Sequence, residues 1–599
     1  MASVHGVLRT GVRVALTMLC ALCFVSKSYA QFNTDRLLMI GRSSLYYEDY
    51  VLSIQYFNQA IAAKPYLFEP WYFRGVAKYY LDDFSGAEND CTEAISRNPY
   101  VVGIYELRGL CRIQQKNFSG AISDYDAALR YEPEGLNLWH NRTLCRIQQK
   151  DYDRALADID TMALRWSKNA RIYAMQSEVY LLQKDTVKAI ASLEKSISLD
   201  AYNSGTWALR ANICLAREEW KSAEECLDKA IHLQPKQPGL YINRAQSRYY
   251  QNNLRGAMSD YDLALDYDPN NFIGHYNRGL LRAQVGDDNR AITDFDFVLK
   301  LEPDNMMALY NRGLLLEKTG NPRAAINDYS KVIKEFPNFW AGLHQRAQCY
   351  RSLGMTKQAE LDEFHILKAQ MDKRNGIQPR MSKKQMRKRS DEDIEKYSQL
   401  AEADEQEVEH EYQSDYRGRV QNRKADMDYM PMYVLSRENY ESGIRQYVAY
   451  DSKIDSLNAT LPAGSQLHIV CMPSYEAAKE DLSAVVQCDS TSSVFYWIRA
   501  TSRQTEHALE DFTEAIRLGG NPYLYYNRGN VYVRQHDYAR AVDDYSRAIE
   551  LDNGLAEAWY NRGLARIALK QQAEGISDLS KAGELGLYTA YSIIKRYRQ

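Results

Sequence analysis

Apolar and polar positions follow helical spacing along most of the chain, and the pattern returns every 34 residues from residue 34 to about residue 373. Each period holds two apolar stretches of helical spacing around a short polar turn. In the period that begins at Phe272, the pattern predicts helices over residues 274–284 and 289–301, with a turn at residues 286–288. One period is too short to bury its own apolar face. The pattern therefore predicts an all-α solenoid in which ten helix pairs stack on one another.

Small residues return at the eighth and twentieth positions of these periods. A glycine within a helix costs about 1 kcal/mol relative to alanine, so its return at one position predicts a compensating close contact between helices. The structural glycines are Gly75, Gly109, Gly279, Gly313, Gly529 and Gly563, and the structural alanines are Ala87, Ala121, Ala291, Ala325 and Ala541.

With an aromatic residue at the fourth position and proline at the thirty-second, the pattern resembles the tetratricopeptide repeat family. One period carries it as Trp71, Gly75, Ala87, Ala94 and Pro99, and a C-terminal period as Tyr525, Gly529, Ala541, Tyr545 and Ala548. The resemblance implies a right-handed superhelical solenoid of helix-turn-helix repeats. It also implies a non-catalytic scaffold that binds proteins or peptides.

The 34-residue pattern divides the chain into five parts. Residues 1–30 are predicted to be a signal peptide, 34–373 the first array of about ten repeats, and 374–429 a charged linker. Residues 430–488 form a small insert without the repeat, and 489–599 a second array of about three repeats with a capping helix. The linker has a basic run at 380–389 and an acidic run at 391–411. In the insert, residues 466–472 are predicted to contain a short strand.

Export is predicted from the first thirty residues. Two arginines precede an apolar run at residues 14–25, and Ser28 and Ala30 supply the small residues that a signal peptidase requires before Gln31. The run is too short to span a bilayer comfortably, although an uncut anchor is the alternative. We expect the periplasm, or the periplasmic side of an outer membrane, with secretion as the alternative. No membrane span is expected after cleavage.

The resemblance also implies a binding face. In that family the first helix of each pair lines a concave groove, and its fifth, ninth, twelfth and thirteenth positions meet the ligand. Tyrosine dominates the fifth, twelfth and thirteenth positions here, and it suits protein recognition because it presents a large ring and loses little rotamer entropy. The alternative is that the rings pack between helices. The tyrosines are Tyr72, Tyr79, Tyr80, Tyr249, Tyr250, Tyr276, Tyr310, Tyr526 and Tyr560. The lysine and asparagine pattern of the family's carboxylate clamp is missing.

Charged residues recur as well. Arginine precedes the eighth position in nearly every period, and aspartate recurs on the second helix, which predicts a ladder of ion pairs between helices rather than an anion-binding track. The near balance of 75 basic and 78 acidic residues argues against nucleic-acid binding.

The sequence contains none of the common catalytic or nucleotide-binding motifs, and no cofactor, metal site or small-molecule substrate is expected. Of the eight cysteines that remain after the predicted cleavage, Cys471 and Cys488 are the two outside the repeats, so a disulfide between them is a candidate that spacing does not decide. Two other functions stay open: carbohydrate binding on exposed tyrosine rings, and an enzyme with its site in residues 430–488.

Overall fold

The structure, a computed structural model, describes residues 34–337, 339–374, 397–401, 428–437, 447–462, 464–472, 492–502 and 507–597. The predicted signal peptide, the basic run of the linker, most of its acidic run and Cys488 lie outside these residues. Within them, none of the helices has the length and apolar character needed to span a membrane.

The described helices follow the predicted period. The first seven are α1 (Thr34–Tyr46), α2 (Tyr50–Ala63), α3 (Glu69–Tyr80), α4 (Phe84–Arg97), α5 (Val102–Gln114), α6 (Phe118–Tyr131) and α7 (Leu136–Gln148). Next come α8 (Tyr152–Arg165), α9 (Ala170–Leu182), α10 (Thr186–Leu199), α11 (Ser204–Ala216), α12 (Trp220–Leu233), α13 (Pro238–Tyr250) and α14 (Leu254–Tyr267). They continue as α15 (Phe272–Val285), α16 (Asp288–Leu301), α17 (Met306–Lys318), α18 (Pro322–Glu335), α19 (Trp340–Ser352) and α20 (Thr356–Arg374).

After these come β1 (Tyr433–Ser436), α21 (Ser452–Asn458), β2 (His468–Cys471), α22 (Ser493–Ser502), α23 (Ala508–Gly519) and α24 (Pro522–Arg534). The last described helices are α25 (Tyr538–Leu551), α26 (Ala556–Ala568), α27 (Gln572–Glu584) and α28 (Thr589–Arg596). The fold is an all-α solenoid of helix pairs, as predicted. The observed α15 and α16 match the helices predicted at residues 274–284 and 289–301.

The turn inside most described pairs has the same backbone geometry. In α4, the Asp83 carboxylate accepts a hydrogen bond from the Gly86 N–H at 2.9 Å and caps the helix. The residue before the cap, Asp82, has φ of 61°, in the left-handed region. The same position has positive φ in other pairs, at Glu48, Lys116, Lys150, Lys184, Glu218, Asn252, Gly286, Gly320, Gly354, His536 and Lys570.

The small residues lie where the two helices of a pair cross. A Cβ atom added at Gly313 would lie 2.6 Å from Cε1 of Tyr329, and one at Gly529 would lie 2.7 Å from Cε1 of Tyr545. The predicted structural alanines are fully buried in the same seams. Four of the six glycines, Gly109, Gly279, Gly313 and Gly529, therefore allow an aromatic ring to pack directly against the neighbouring helix backbone, whereas Gly75 and Gly563 face no ring.

The predicted ladder of ion pairs is present. Arg312 on α17 donates from Nε and Nη2 to both carboxylate oxygens of Asp328 on α18, at 2.8 and 2.7 Å. Its Nη1 donates to Asp296 on α16 at 2.7 Å. This arginine therefore joins its own pair to the preceding pair. The other bidentate Arg–Asp pairs in the described residues are Arg74–Asp90, Arg108–Asp124, Arg244–Asp260, Arg278–Asp294, Arg346–Asp362, Arg499–Asp511, Arg528–Asp544 and Arg562–Asp578.

Two compact units divide the chain, one of residues 1–151 with 412–599 and the other of residues 152–411. The predicted division at residues 374–429 stays a prediction. In the first unit, N-terminal and C-terminal repeats share one core, in which Ile54 and Leu81 pack with Leu579 and Ile594.

Charged and polar groups also join the two ends of the first unit. Lys78 on α3 contacts Glu584 at the end of α27 with Nζ and Oε2 3.1 Å apart, and Asn58 on α2 donates to the Glu584 carbonyl at 2.7 Å. Asp83 accepts a short hydrogen bond from the Ser580 hydroxyl. The second array therefore packs on the beginning of the first.

The insert belongs to the first unit. The predicted strand is present as β2, which pairs antiparallel with β1 so that Tyr433 lies opposite Cys471. The Cys471 thiol donates to the Pro431 carbonyl at 3.3 Å. Because Cys488 lies outside the described residues, the disulfide stays a prediction.

Candidate functional site

Five predicted binding tyrosines occupy the fifth position of a period, and all of them except Tyr72 are buried. Tyr276, Tyr310, Tyr526 and Tyr560 are at most 3% exposed. Tyr560 packs in the core with Ala590 and Tyr591 of α28. The other three lie in two grooves of the repeats. The first groove is formed by α24 and α26, and the second by α15 and α17. A short segment of the same chain covers each groove.

The remaining predicted tyrosines pack mainly against other rings. Tyr80 stacks on Tyr50, with ring centroids 5.1 Å apart, and Tyr250 stacks on Trp220 at 4.2 Å. Tyr72, Tyr79 and Tyr249 are partly buried. Tyr250, the most accessible of the nine, is 44% exposed. These tyrosines therefore do not form the row of exposed ring faces that carbohydrate binding predicts.

The first groove lies in the C-terminal repeats and holds the segment that leads into β1. The Asn527 side chain on α24 binds both main-chain groups of Tyr433: it accepts from the N–H at 2.8 Å and donates to the carbonyl at 2.6 Å. Asn561 on α26 binds Met430 in the same way, accepting at 2.8 Å and donating at 3.1 Å. The Tyr526 hydroxyl lies within donating distance of the carbonyls of Met430 and Pro431, at 3.0 and 2.9 Å.

Side-chain contacts fix the same segment. The Tyr433 ring lies 5.0 Å from that of Tyr523, and its hydroxyl donates to the Glu557 carboxylate at 2.6 Å. The indole N–H of Trp497 donates to the Tyr433 carbonyl at 3.0 Å. Both Val434 and Leu435 are almost fully buried. This segment is therefore an integral part of the C-terminal core.

The second groove lies in the other compact unit and holds residues 397–401. Asn277 on α15 accepts from the Ala401 N–H and donates to the Ala401 carbonyl, both at 2.7 Å. Asn311 on α17 donates to the Tyr397 carbonyl at 2.6 Å, and the Tyr276 hydroxyl donates to the same oxygen at 3.0 Å. The main chain of this segment is therefore bound at both of its ends.

The two grooves bind their segments in the same direction. In each, the asparagine of the later period binds the earlier residue of the segment, so the segment runs opposite to the order of the repeats. Stacked helices are about 10 Å apart, the length of about three extended residues. Met430 and Tyr433, the two residues bound in the first groove, are three residues apart in the sequence. Tyr397 and Ala401, the two residues bound in the second groove, are four residues apart. A turn at residues 397–398 shortens this segment, so that the extra residue fits between the two asparagines.

Asparagine at the sixth position is a functional feature that the sequence predictions missed. Its carboxamide carries one acceptor and two donors, so it can pair with the N–H and C=O of one peptide residue as a neighbouring strand does. The available signal was the tripeptide Asn-Arg-Gly, which recurs at residues 277–279, 311–313, 527–529 and 561–563. The arginine and the glycine of this tripeptide had predicted structural roles, whereas its asparagine had none.

Burial keeps the groove tyrosines protonated. It raises the pKa of Tyr276 and of Tyr526 above the usual range for a phenol. Each hydroxyl therefore remains a donor toward the segment carbonyls at neutral pH. The groove supplies donors and acceptors for main-chain groups that would otherwise be buried without partners.

In the described part of the chain, no three His, Cys, Asp or Glu side chains are grouped as a metal ion requires. Glu178 on α9 is unusual, because burial raises its pKa to about 7.

Family models described as tetratricopeptide repeat match residues 73–135, 170–203, 276–338 and 522–554. Among curated protein sequences, none matches the chain significantly. Solved structures that are similar include YrrB, described as a TPR protein with an unusual peptide-binding site, at 19% identity, 31% of this chain, 96% of that chain and a TM-score of 0.29.

Two other similar structures are of tetratricopeptide repeat proteins. One, from Parabacteroides merdae, has 17% identity over 39% of this chain and 92% of that chain, with a TM-score of 0.31. The other is the C-terminal part of a protein from Cytophaga hutchinsonii, with 16% identity over 38% of this chain and 93% of that chain, and a TM-score of 0.33.

Proposed function

This chain belongs to the tetratricopeptide repeat family, whose members generally act as protein-interaction scaffolds, and we propose that it binds extended segments of other proteins in an asparagine-lined groove, that of α15 and α17. One observation carries the proposal: asparagines in two grooves pair with the main chain of docked segments. Three of them, Asn277, Asn527 and Asn561, bind both the N–H and the C=O of one residue.

The mechanism is non-covalent recognition of peptide main chain. Each asparagine that binds both groups of one residue makes two hydrogen bonds, which together contribute about 1–3 kcal/mol to the binding free energy. The net value is modest because these bonds replace hydrogen bonds to water. Main-chain contacts alone do not select a sequence, so selection falls to the pockets beside each asparagine. In the second groove that pocket includes the ring of Tyr310, which lies 4.5 Å from the ring of Tyr397.

The setting we propose is the bacterial cell envelope, with partners that are envelope proteins or peptides. It is supported by the apolar run and the small residues at positions 28 and 30 of the sequence. Mass spectrometry of the chain expressed with its own N-terminus tests this. We expect a mature form that begins at Gln31 in the periplasmic fraction. A chain that keeps residue 1 and stays in the cytoplasm would contradict the setting and leave the binding proposal intact.

The binding proposal is tested with a random peptide library panned on the full chain. Selected peptides are then measured by fluorescence anisotropy against the parent and against Asn277→Ala/Asn311→Ala. Asn289→Ala is the matched control, because Asn289 is exposed on α16, outside the groove. We expect peptides selected at this groove to lose at least tenfold in affinity with the double variant and nothing with the control. A library without binders, or binders indifferent to the loss of Asn277 and Asn311, would refute the proposal.

A further inference from the structure

The two docked segments differ in how firmly they are held. Residues 432–435 are at most 3% exposed and continue into β1, which pairs with β2. Residues 397–401, in contrast, are not part of a described helix or strand, and Ser398 and Gln399 are exposed. The first segment is built into its core, whereas the second lies on its groove.

The groove nevertheless makes specific contacts with residues 397–401. The main chain is bound at both ends, at Tyr397 and at Ala401. Between these ends the Leu400 side chain is buried, with 8% of the residue exposed, and the Tyr397 ring meets the Tyr310 ring at 78°. Such T-shaped ring pairs are favourable beyond the area they bury. The groove therefore recognises an aromatic residue, then leucine three positions later, then a small residue.

We propose that residues 397–401 are a displaceable internal ligand, which competes with partner segments for the groove of α15 and α17. The inference rests on the function proposed above and adds its regulation and its ligand class. The partner segment is extended, carries an aromatic residue, two variable residues, leucine and a small residue, and runs opposite to the repeat order. Ser398 and Gln399 mark the variable positions, because both residues are exposed to solvent.

The size of the effect follows from tethering. A segment tethered within the same chain competes at an effective concentration on the order of 1 mM. If the free segment binds with Kd on the order of 0.1 mM, the internal ligand occupies the groove about nine-tenths of the time and weakens external binding about tenfold.

The test uses the full chain and a labelled peptide with the sequence of residues 396–402, acetyl-KYSQLAE-amide. Its affinity is measured for the parent and for Tyr397→Ala/Leu400→Asp, which disables the internal segment. Ser398→Ala/Gln399→Ala is the matched control, since it changes two exposed residues of the same segment. Circular dichroism checks that helix content is unchanged. Hydrogen exchange of the Ala401 amide, which donates to Asn277, reports displacement in the parent.

We expect the disabled variant to bind the peptide about tenfold more tightly than the parent, and the control to bind like the parent. Added peptide should also speed exchange of the Ala401 amide in the parent. Equal affinity of parent and disabled variant, with Asn277→Ala/Asn311→Ala still abolishing binding, would overturn the internal ligand alone. Binding that ignores those two asparagines, or no binding to any form, would overturn the proposed groove as well.

Discussion

The charged cluster that joins the ends of the first compact unit gives a quantitative prediction. Arg74 Nη1 and Lys78 Nζ lie 3.3 and 3.1 Å from the two carboxylate oxygens of Glu584, whose side chain is 12% exposed. Removing one partner of a buried ion pair costs about 3–5 kcal/mol. Both cations also contact Asp90, and glutamine keeps one acceptor oxygen. We therefore expect Glu584→Gln to destabilise the junction by about 2–3 kcal/mol.

Hydrogen exchange of α27 and α4 measures this cost at the junction itself. At tenfold per 1.4 kcal/mol, the predicted destabilisation speeds exchange there by about 30- to 150-fold at pH 7. Glu550→Gln is the control, because it removes the same charge from an exposed pair that Glu550 forms with Arg547. We expect no measurable effect from it.

The effect should depend on pH with a definite sign. Burial alone would raise the pKa of Glu584, but the charges of Lys78 and Arg74 outweigh it and hold the pKa well below its usual range. A carboxyl with a lowered pKa stabilises the fold above its unfolded pKa of about 4.3, and this stabilisation is lost as the pH falls below that value. Parent and variant should therefore converge in acid. An equal difference at pH 7 and at about pH 2.5, or variant exchange matching the control at pH 7, would refute this account.

Three further changes test the packing of the repeats and the first groove. Gly529→Ala should cost about 1–3 kcal/mol in thermal unfolding because its Cβ would overlap a buried ring, whereas Gly75→Ala, whose nearest contact is 3.4 Å, should cost nothing measurable. Glu218→Gly should stabilise by about 0.5–1 kcal/mol, since its φ is 59°, and a neutral or negative result would contradict that strain. Asn527→Ala should speed exchange of the Tyr433 amide at least tenfold, and unchanged exchange would show that the pair contributes little.

The helix pairs could be predicted from the sequence because each of them depends on local spacing. The period that begins at Phe272 predicted two helices to within two residues at their ends. Close approach at Gly313 and the pairing of Arg312 with Asp328 also return every 34 residues, so repetition made them visible. Repetition is what separates these features from chance.

The contacts between distant parts of the chain could not be predicted in this way. Nothing in the local sequence distinguishes Glu584 from a glutamate on the surface, and it contacts Lys78 only because of the fold. The docked segments have no period of their own. They are also held largely through main-chain groups, which every residue possesses, so neither Ala401 nor Met430 carries a side-chain signature of being bound.

Recognition of main chain by asparagine separates two properties of the grooves. The same side-chain type binds Ala401, Tyr433 and Met430, three residues with nothing in common but their peptide groups, so the asparagines set the direction and spacing of a ligand rather than its sequence. The pockets beside the asparagines differ. In the first groove the Glu557 carboxylate accepts from the Tyr433 hydroxyl, whereas in the second groove the Tyr310 ring contacts the Tyr397 ring. The two grooves therefore bind segments in the same direction but through different side-chain pockets. Of the two, the groove of α15 and α17 should accept a segment of another protein, because residues 397–401 lie on its surface whereas residues 432–435 are part of a core.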